Sequence, residues 1–423
     1  MDLDAFSALL DDEGQALLAS LRHHDPADEL ATATRLRREH PAALVSAALG
    51  QARLRQRAAA KFGDDAYRMY FTPDGVEQAT RTAVAEHRAA RFAALGVRRL
   101  ADLCCGIGGD AIALARAGIE VLAVDRSELT CAVARANAQA LGLDGLIEVR
   151  CADVTQVDTA PYDALFTDPA RRGGREKKAR SASAEGRWRA TGGRIFDPEA
   201  YSPPLSWAVE AARTLPHAAI KVAPGIPHEA VPEDAAPEWV SYAGDVKEAV
   251  LWFGTDDSIR ATLLPSSAGL TSAGLPAPAV GPVGRYLYEP DGAVIRAHLV
   301  AEAAAHLDGR LIDETIAYIT SDELRATPYA TAYEITDTLP FNLKKLKALL
   351  RERRIGTAVI KKRGSAVEPD ELRRKLKLDG PNSCVVVLTR VAGAPTMLLA
   401  QAVPTTRTAS GAPGAAPTPL VDR

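Results

Sequence analysis

Four aspartates, each closing a short apolar run, are the residues of this chain best placed to do chemistry on a cation. Asp102 ends the first run, four residues before Gly106 in Asp102-Leu103-Cys104-Cys105-Gly106-Ile107-Gly108-Gly109-Asp110. Glycines so spaced let the backbone turn sharply and bring its N–H groups close to a ligand. Asp125 ends a second run, Glu120-Val121-Leu122-Ala123-Val124, and Asp153 follows a third in Cys151-Ala152-Asp153-Val154. The fourth reads Ala164-Leu165-Phe166-Thr167-Asp168-Pro169-Ala170-Arg171-Arg172. Strand, glycine turn, helix and a second strand ending in an acid make a nucleotide-binding βαβ unit.

The glycines alone leave the ligand open. Gly106-Ile107-Gly108-Gly109-Asp110-Ala111 also fits the loose dinucleotide fingerprint, with Asp125 as its ribose-binding acid. The bland alternative is a tight turn with ordinary polar residues at strand ends. S-adenosylmethionine is favoured because the Asp102 carboxylate suits an ammonium or sulfonium and would repel a pyrophosphate. Asp153 is placed to bind an adenine amine. Ligand chemistry in doubly wound sheets lies beyond the C-terminal strand ends, which sets Asp168 beside the reacting group.

The elements that must position these residues follow from periodicity. Residues 1–95 read as helical: Phe6, Leu9, Leu10, Leu17, Leu18 and Leu21 form one helical face that Asp4 or Ser7 could cap. Further helices are expected at about 27–38 and 41–61, and Thr72 is placed to cap one running to about 92. Tyr70, Phe71 and Thr72 read as a core aromatic segment or as a lid over a ligand. Strands are expected near 98–104, 119–125, 146–151, 162–167, 217–223, 238–243 and 248–253. Helices fit 108–117, 127–141 and 203–214. Such alternation predicts an α/β fold, a Rossmann-like parallel sheet with helices on both faces. The last two strands are too close in sequence for a parallel crossover, so the sheet is expected to end in a reversed strand.

The domain plan is an N-terminal helical region (1–95), a nucleotide-binding domain (96–264), a Pro/Gly-rich linker (265–283), a small C-terminal α+β domain (284–403) and a disordered tail (404–423). The 423-residue chain carries a net charge of −3, so any basic surface must be local. Its five cysteines show no C-x-x-C spacing, which argues against a disulfide framework or metal site and for a reducing, cytoplasmic compartment. No signal sequence or membrane-length apolar run is legible. A monomer is expected.

Two basic segments stand out. Arg171 to Arg194 holds nine basic residues and two acidic ones, with Arg172, Lys177, Lys178 and Trp188 beside the fourth strand end. Phe341 to Leu378 holds thirteen basic and four acidic residues. Lys344, Lys347 and Arg351 share a helical face there, and Lys361, Lys362 and Arg363 follow a strand. A charge run is often only a solvated face. Two such runs in an otherwise acidic chain favour contact with an RNA backbone.

With these residues in place, the chain resembles the class I S-adenosylmethionine-dependent methyltransferases. Asp-Leu-Cys-Cys-Gly-Ile-Gly-Gly-Asp is similar to the trimethylguanosine-synthase-like branch. The whole resembles a bacterial family that joins such a domain to a ferredoxin-like, THUMP-like module. Its diagnostic strings are Asp168-Pro169-Ala170-Arg171-Arg172 and Ile360-Lys361-Lys362-Arg363-Gly364. The resemblance implies that Asp102, Cys104, Gly106 and Gly108 lie in the motif holding the cofactor's methionine part. Asp125 then binds the ribose and Asp153 lies near adenine. Asp168 and Pro169 match the first two positions of the Asp/Asn-Pro-Pro-aromatic motif of amino-methylating enzymes, where they orient the target amine. Ala170 and Arg171 depart from that motif. A guanidinium can still stack on a base, so a ring nitrogen or another nucleophile stays open as target.

The function this implies is methylation of a base nitrogen in structured RNA, either rRNA or tRNA. The alternatives are a non-catalytic RNA-binding protein on the same fold, or a methyltransferase acting on a protein or small molecule.

Overall fold

The computed structural model describes residues 2–170, 197–255 and 258–403. The chain divides into two compact units, Met1–Ser272 and Ala273–Arg423.

The first unit opens with helices α1 (Leu3–Leu10), α2 (Asp12–Ser20), α3 (Glu29–Leu36), α4 (Ala42–Phe62), α5 (Pro73–Gln78) and α6 (Thr82–Ala94). The face from Phe6 to Leu21 is therefore two helices and not one. Asp11 is extended between them. A side chain at Gly14 would lie 2.3 Å from the Ala8 carbonyl oxygen, so only glycine lets α2 fold back this closely on α1. The cap of α1 is Asp2, which accepts from the Ala5 N–H, and neither Asp4 nor Ser7 serves. Thr72 does cap a helix, but only the short α5. The Lys61 ammonium donates to the carbonyls of Val76, Glu77 and Ala79 at 2.8 Å each and closes α5 there. Tyr70 and Phe71 are buried. The Gln51 side chain bonds both the N–H and carbonyl of Phe71, and Asn137 does the same for Tyr70. This segment is the core cluster and not a lid.

The sheet that follows has nine strands: β1 (Arg99–Leu103), β2 (Glu120–Asp125), β3 (Ile147–Cys151), β4 (Ala164–Thr167), β5 (His217–Val222), β6 (Ala236–Tyr242), β7 (Asp245–Phe253), β8 (Arg260–Leu264) and β9 (Ala268–Thr271). Their order is β3-β2-β1-β4-β5-β7-β6-β8-β9. Helices α7 (Gly109–Arg116), α8 (Glu128–Leu141) and α9 (Leu205–Ala212) provide crossovers. β1 to β5 are parallel. β7 runs against both β5 and β6, as the short connection requires. It does not end the sheet, however, because its hairpin partner β6 pairs in parallel with β8, which pairs with β9. Residues 268–271 are thus an edge strand within the stretch that reads as a linker.

Buried side chains tie the helices to this sheet. Glu238 on β6 accepts from His87 and Arg91 of α6 and from Trp252 and Thr262 of neighbouring strands. Burial alone would raise its carboxyl, but the His87, Arg91 and Thr262 contacts outweigh it and bring it down to about 2.

The second unit is built on β10 (Tyr286–Pro290), β11 (Arg310–Asp313), β12 (Ile316–Ser321), β13 (Ala330–Pro340), β14 (Ile355–Lys362), β15 (Asn382–Val391) and β16 (Ala394–Ala402). The order is β11-β12-β10-β13-β16-β15-β14; β14 and β15 pair in parallel, and the other neighbouring strands pair antiparallel. Helices α10 (Gly292–Arg296), α11 (Val300–Leu307), α12 (Leu343–Glu352) and α13 (Pro369–Leu376) complete it. Leu346 and Leu350 of α12 and Leu372 and Leu376 of α13 pack on Val386 and Leu388, while Val385 and Val387 point into a separate cluster with Tyr318 and Tyr333. Val280 bridges to Leu311, so part of the Pro/Gly-rich stretch pairs with this sheet. No helix among the described residues is long and apolar enough to cross a membrane.

Candidate functional site

Parallel pairing brings the C-terminal ends of β1, β2 and β4 side by side, with Leu103 opposite both Val124 and Thr167. β1 runs out into the glycine turn, which the Cys105 N–H fastens to the Val124 carbonyl at 2.9 Å. Gly106 has φ +56° and Gly108 φ +85°, the left-handed region where glycine carries no side-chain penalty. A side chain at Gly106 would meet nothing within 4 Å, so the turn faces open space. Cys104 takes φ +67° without being glycine, a strained conformation of the kind that gathers at functional sites.

Asp125 holds the turn from the next strand. Its Oδ2 accepts from the Gly106 N–H at 3.2 Å and its Oδ1 from the Ser127 N–H at 3.0 Å. Asp102 is fully buried, and among the described residues neither carboxylate oxygen has a hydrogen-bond partner. Burial, with Asp110 and other carboxylates nearby, pushes its pKa well above the usual aspartate range. Burial likewise pushes the Cys104 thiol up to about 12, aided by Asp125 and Asp168, so no thiolate sits here at neutral pH. Asp153 is exposed at the end of β3. Its Oδ1 accepts from the N–H and hydroxyl of Thr155, which lowers its pKa.

Asp168 lies just past β4, and its Oδ2 accepts from the Lys221 ammonium at 2.6 Å. Lys221 stands on β5 with its side chain 5% exposed and donates also to the Thr80 hydroxyl at 3.0 Å. That hydroxyl donates to Asp110 Oδ2 at 2.8 Å. Arg88 bridges Asp110 to Glu248, and its guanidinium lies over the Phe166 ring. Burial opposes the charge on Lys221, yet Asp168, Glu248 and Asp110 hold its pKa above the ordinary lysine range. Sequence reasoning missed this chain of groups. Its one local signal is a lysine inside the apolar run Ala218-Ala219-Ile220-Lys221-Val222.

Among the described residues Asp168 Oδ1 has no such partner, so one oxygen is fixed and the other is left for a donor. Pro169 beside it is buried. Ala170 pairs with Ser202 through two backbone hydrogen bonds of 3.0 and 3.1 Å, which brings the chain back to the Asp168 strand end. Arg171, Arg172, Lys177 and Lys178 lie outside the described residues, as does the 404–423 tail.

An orphaned buried carboxylate, further carboxylates around it and an open glycine turn fit a ligand with a positive end. That charge pattern suits the ammonium and sulfonium of S-adenosylmethionine and disfavours a pyrophosphate. No group of three or more His, Cys, Asp or Glu side chains that could hold a metal occurs among the described residues.

In the second unit the basic residues divide. Lys361 donates to Glu289 at 2.5 Å, Arg363 lies 3.9 Å from the same carboxylate, and Lys362 pairs with Glu368. Their charge is answered within the unit, which the count of basic residues did not reveal. Lys344 and Lys345 on α12 are exposed and form no ion pair among the described residues. Lys347 reaches the Lys375 carbonyl at 3.4 Å and ties α12 to α13, where Arg373 and Lys375 pair with Asp370 and Glu371 of their own helix.

Comparison with known proteins agrees with this geometry. Residues 100–170 match the methyltransferase domain family, residues 330–402 the THUMP domain-like family, and residues 2–58 a domain family of unknown function, DUF8688. The chain is 33% identical over 351 residues to an uncharacterized S-adenosylmethionine-dependent methyltransferase of Mycobacterium tuberculosis, covering 80% of this chain and 90% of that one. It is 41% identical over 81 residues to the 23S rRNA (uracil(1939)-C(5))-methyltransferase RlmD of Azoarcus sp., covering 18% of this chain and 19% of that one. A crystal structure from Porphyromonas gingivalis W83, assigned to the methyltransferases, superposes with a TM-score of 0.73 at 20% identity, over 92% of this chain and 98% of that one. By strand order, strand-end carboxylates and the nearly full-length relative, the chain belongs to the S-adenosylmethionine-dependent methyltransferases and carries a THUMP-like module toward its C-terminal end.

Proposed function

We propose that this methyltransferase acts on a base nitrogen in structured RNA. The observation that carries the reading is the Asp168 carboxylate, fixed by Lys221 through one oxygen and left with the other at the strand end. That oxygen, with the Pro169 carbonyl, accepts N–H hydrogen bonds from the target and turns the nitrogen lone pair toward the reacting carbon. Bound S-adenosylmethionine supplies an electrophilic methyl group. Asp102 takes its positive methionine end, Gly106 and Gly108 let the backbone approach, Asp125 accepts from the ribose hydroxyls with its remaining lone pairs, and Asp153 lies toward adenine. Catalysis is then mostly positioning, an effect that reaches roughly 7–11 kcal/mol in well-oriented systems.

RNA as substrate is supported by the THUMP-like module, by the exposed lysines Lys344 and Lys345 of α12, and by the short likeness to rRNA methyltransferases. Arg171, Arg172, Lys177 and Lys178 would add contacts beside the reacting strand end. The test offers the full-length protein labelled S-adenosylmethionine with RNA, protein and small-molecule fractions from a strain lacking the gene. Label is expected in RNA, as one methylated nucleoside by mass spectrometry. Label confined to protein or small molecules overturns the reading, and RNA binding without any transfer favours the non-catalytic alternative.

A further inference from the structure

Away from the strand-end site, the helical layer of the first unit contains a cleft of about 520 Å³ whose polar lining includes Gln15, Arg22, Arg55, Tyr67, Arg68 and Tyr70. No carboxylate is among its lining residues. Three guanidinium-bearing side chains thus share one concavity without a counter-charge, and among the described residues none of them forms an ion pair. Arg55 is half-buried, and its donors go to the carbonyls of Met69 at 2.8 Å and Arg68 at 3.4 Å. Arg68 donates to the Ala140 carbonyl. Burial lowers the Arg55 pKa; Tyr70 opposes this by its hydrogen bond, and the nearby Arg22 charge adds a smaller lowering.

Like charges gathered in one concavity repel one another, although the Arg55 and Arg68 donors reach backbone carbonyls. An anion would relieve that repulsion. Arginine forks match phosphate oxygens in geometry, which lysine does not. Aromatic faces complete the lining: Arg22 lies over the Tyr67 ring at 5.5 Å and Arg55 over Tyr70 at 5.0 Å. The size falls within the range of small-molecule sites.

We propose that this cleft is a nucleotide-binding site, taking a phosphate on Arg22, Arg55 and Arg68 and a base against Tyr67. The nucleotide can come from an unpaired stretch of RNA or from a free nucleoside monophosphate, since both offer a phosphate beside a stackable ring. The site does not depend on the RNA-methylation reading, because a free nucleotide satisfies it equally. Its wall meets the glycine turn: Asn137 bonds the Tyr70 carbonyl and the Ile107 carbonyl with one amide, at 3.1 and 2.9 Å.

The test uses the full chain with its cofactor site saturated by S-adenosylhomocysteine. Uridine monophosphate, uridine, inorganic phosphate and a six-nucleotide oligouridylate are titrated by calorimetry. The monophosphate is expected to bind at least tenfold more tightly than uridine or phosphate. Arg22→Glu and, separately, Tyr67→Leu are each expected to weaken it tenfold or more while S-adenosylmethionine binding stays unchanged. That last readout shows the variants are folded, and Arg22 is exposed, so reversing its charge should not disturb folding. A hexamer tenfold tighter than the monomer assigns the site to RNA, and equal affinities assign it to free nucleotide. The proposal is overturned if neither nucleotide binds at millimolar concentration, if phosphate alone binds as well, or if Arg22→Glu binds like the parent.

Discussion

Asp102 and Lys221, both buried at the strand ends, are each set by their surroundings more than by their type. Asp102 is an acid whose pKa is raised on folding, so its sign is the reverse of a salt-bridged carboxylate. The folded protein holds its proton to higher pH than the unfolded chain does. Asp102 therefore subtracts stability as pH rises through and above the unfolded value. Asp102→Asn is expected to melt no lower than the parent in cofactor-free buffer, and the gap in its favour should widen between pH 5 and 8. Thermal melts across that range check this. In the proposed mechanism Lys221 acts through Asp168, to which it donates. Lys221→Met is expected to lower kcat by roughly 10²-fold, because a small misplacement of an orienting group has that scale. Its S-adenosylmethionine affinity should stay within a few fold, a split that loss of fold would not produce.

Elements differ in how much of them the sequence discloses. The glycine turn, the five parallel strands and the β6–β7 hairpin were legible because each rests on local spacing. The break between α1 and α2 was not, since it depends on Gly14 touching the carbonyl of Ala8. Nor was the group linking Asp168, Lys221, Thr80, Asp110, Arg88 and Glu248, whose members come from six separate segments. Glu238 is a further case, joining α6 to three strands. Its carboxyl lies near 2 when folded against 4.5 as an ordinary glutamate, so it contributes stability above pH 4.5 that is lost as pH falls toward 2. The difference corresponds to about 3 kcal/mol. Glu238→Gln should lose roughly that amount at pH 7 and much less near pH 3, as read by urea unfolding at the two pH values.

For the whole molecule, charge count and charge placement diverge. Thirteen basic residues between Phe341 and Leu378 look like one surface in sequence. In the folded unit Lys361, Lys362 and Arg363 are answered by Glu289 and Glu368, and Arg373 and Lys375 of α13 by Asp370 and Glu371, which leaves Lys344 and Lys345 of α12 exposed and without an ion pair among the described residues. The triple change Lys344→Glu, Lys345→Glu and Lys347→Glu is expected to weaken binding of structured RNA. It should also flatten the slope of log affinity against log salt by about 2, since each phosphate contact contributes about 0.7 to 0.9. Lys361→Gln should leave that slope nearly unchanged and instead lower the unit's stability.

The division of labour among the strand-end carboxylates is the centre of this account, and paired calorimetry and single-turnover transfer on Asp102→Asn and Asp168→Asn test it most directly. Asp102→Asn is expected to lose S-adenosylmethionine binding by a hundredfold or more. Asp168→Asn should bind the cofactor within a few fold of the parent yet transfer its methyl group at least a hundredfold more slowly. Parent-like cofactor binding by Asp102→Asn, or undiminished transfer by Asp168→Asn, would contradict it.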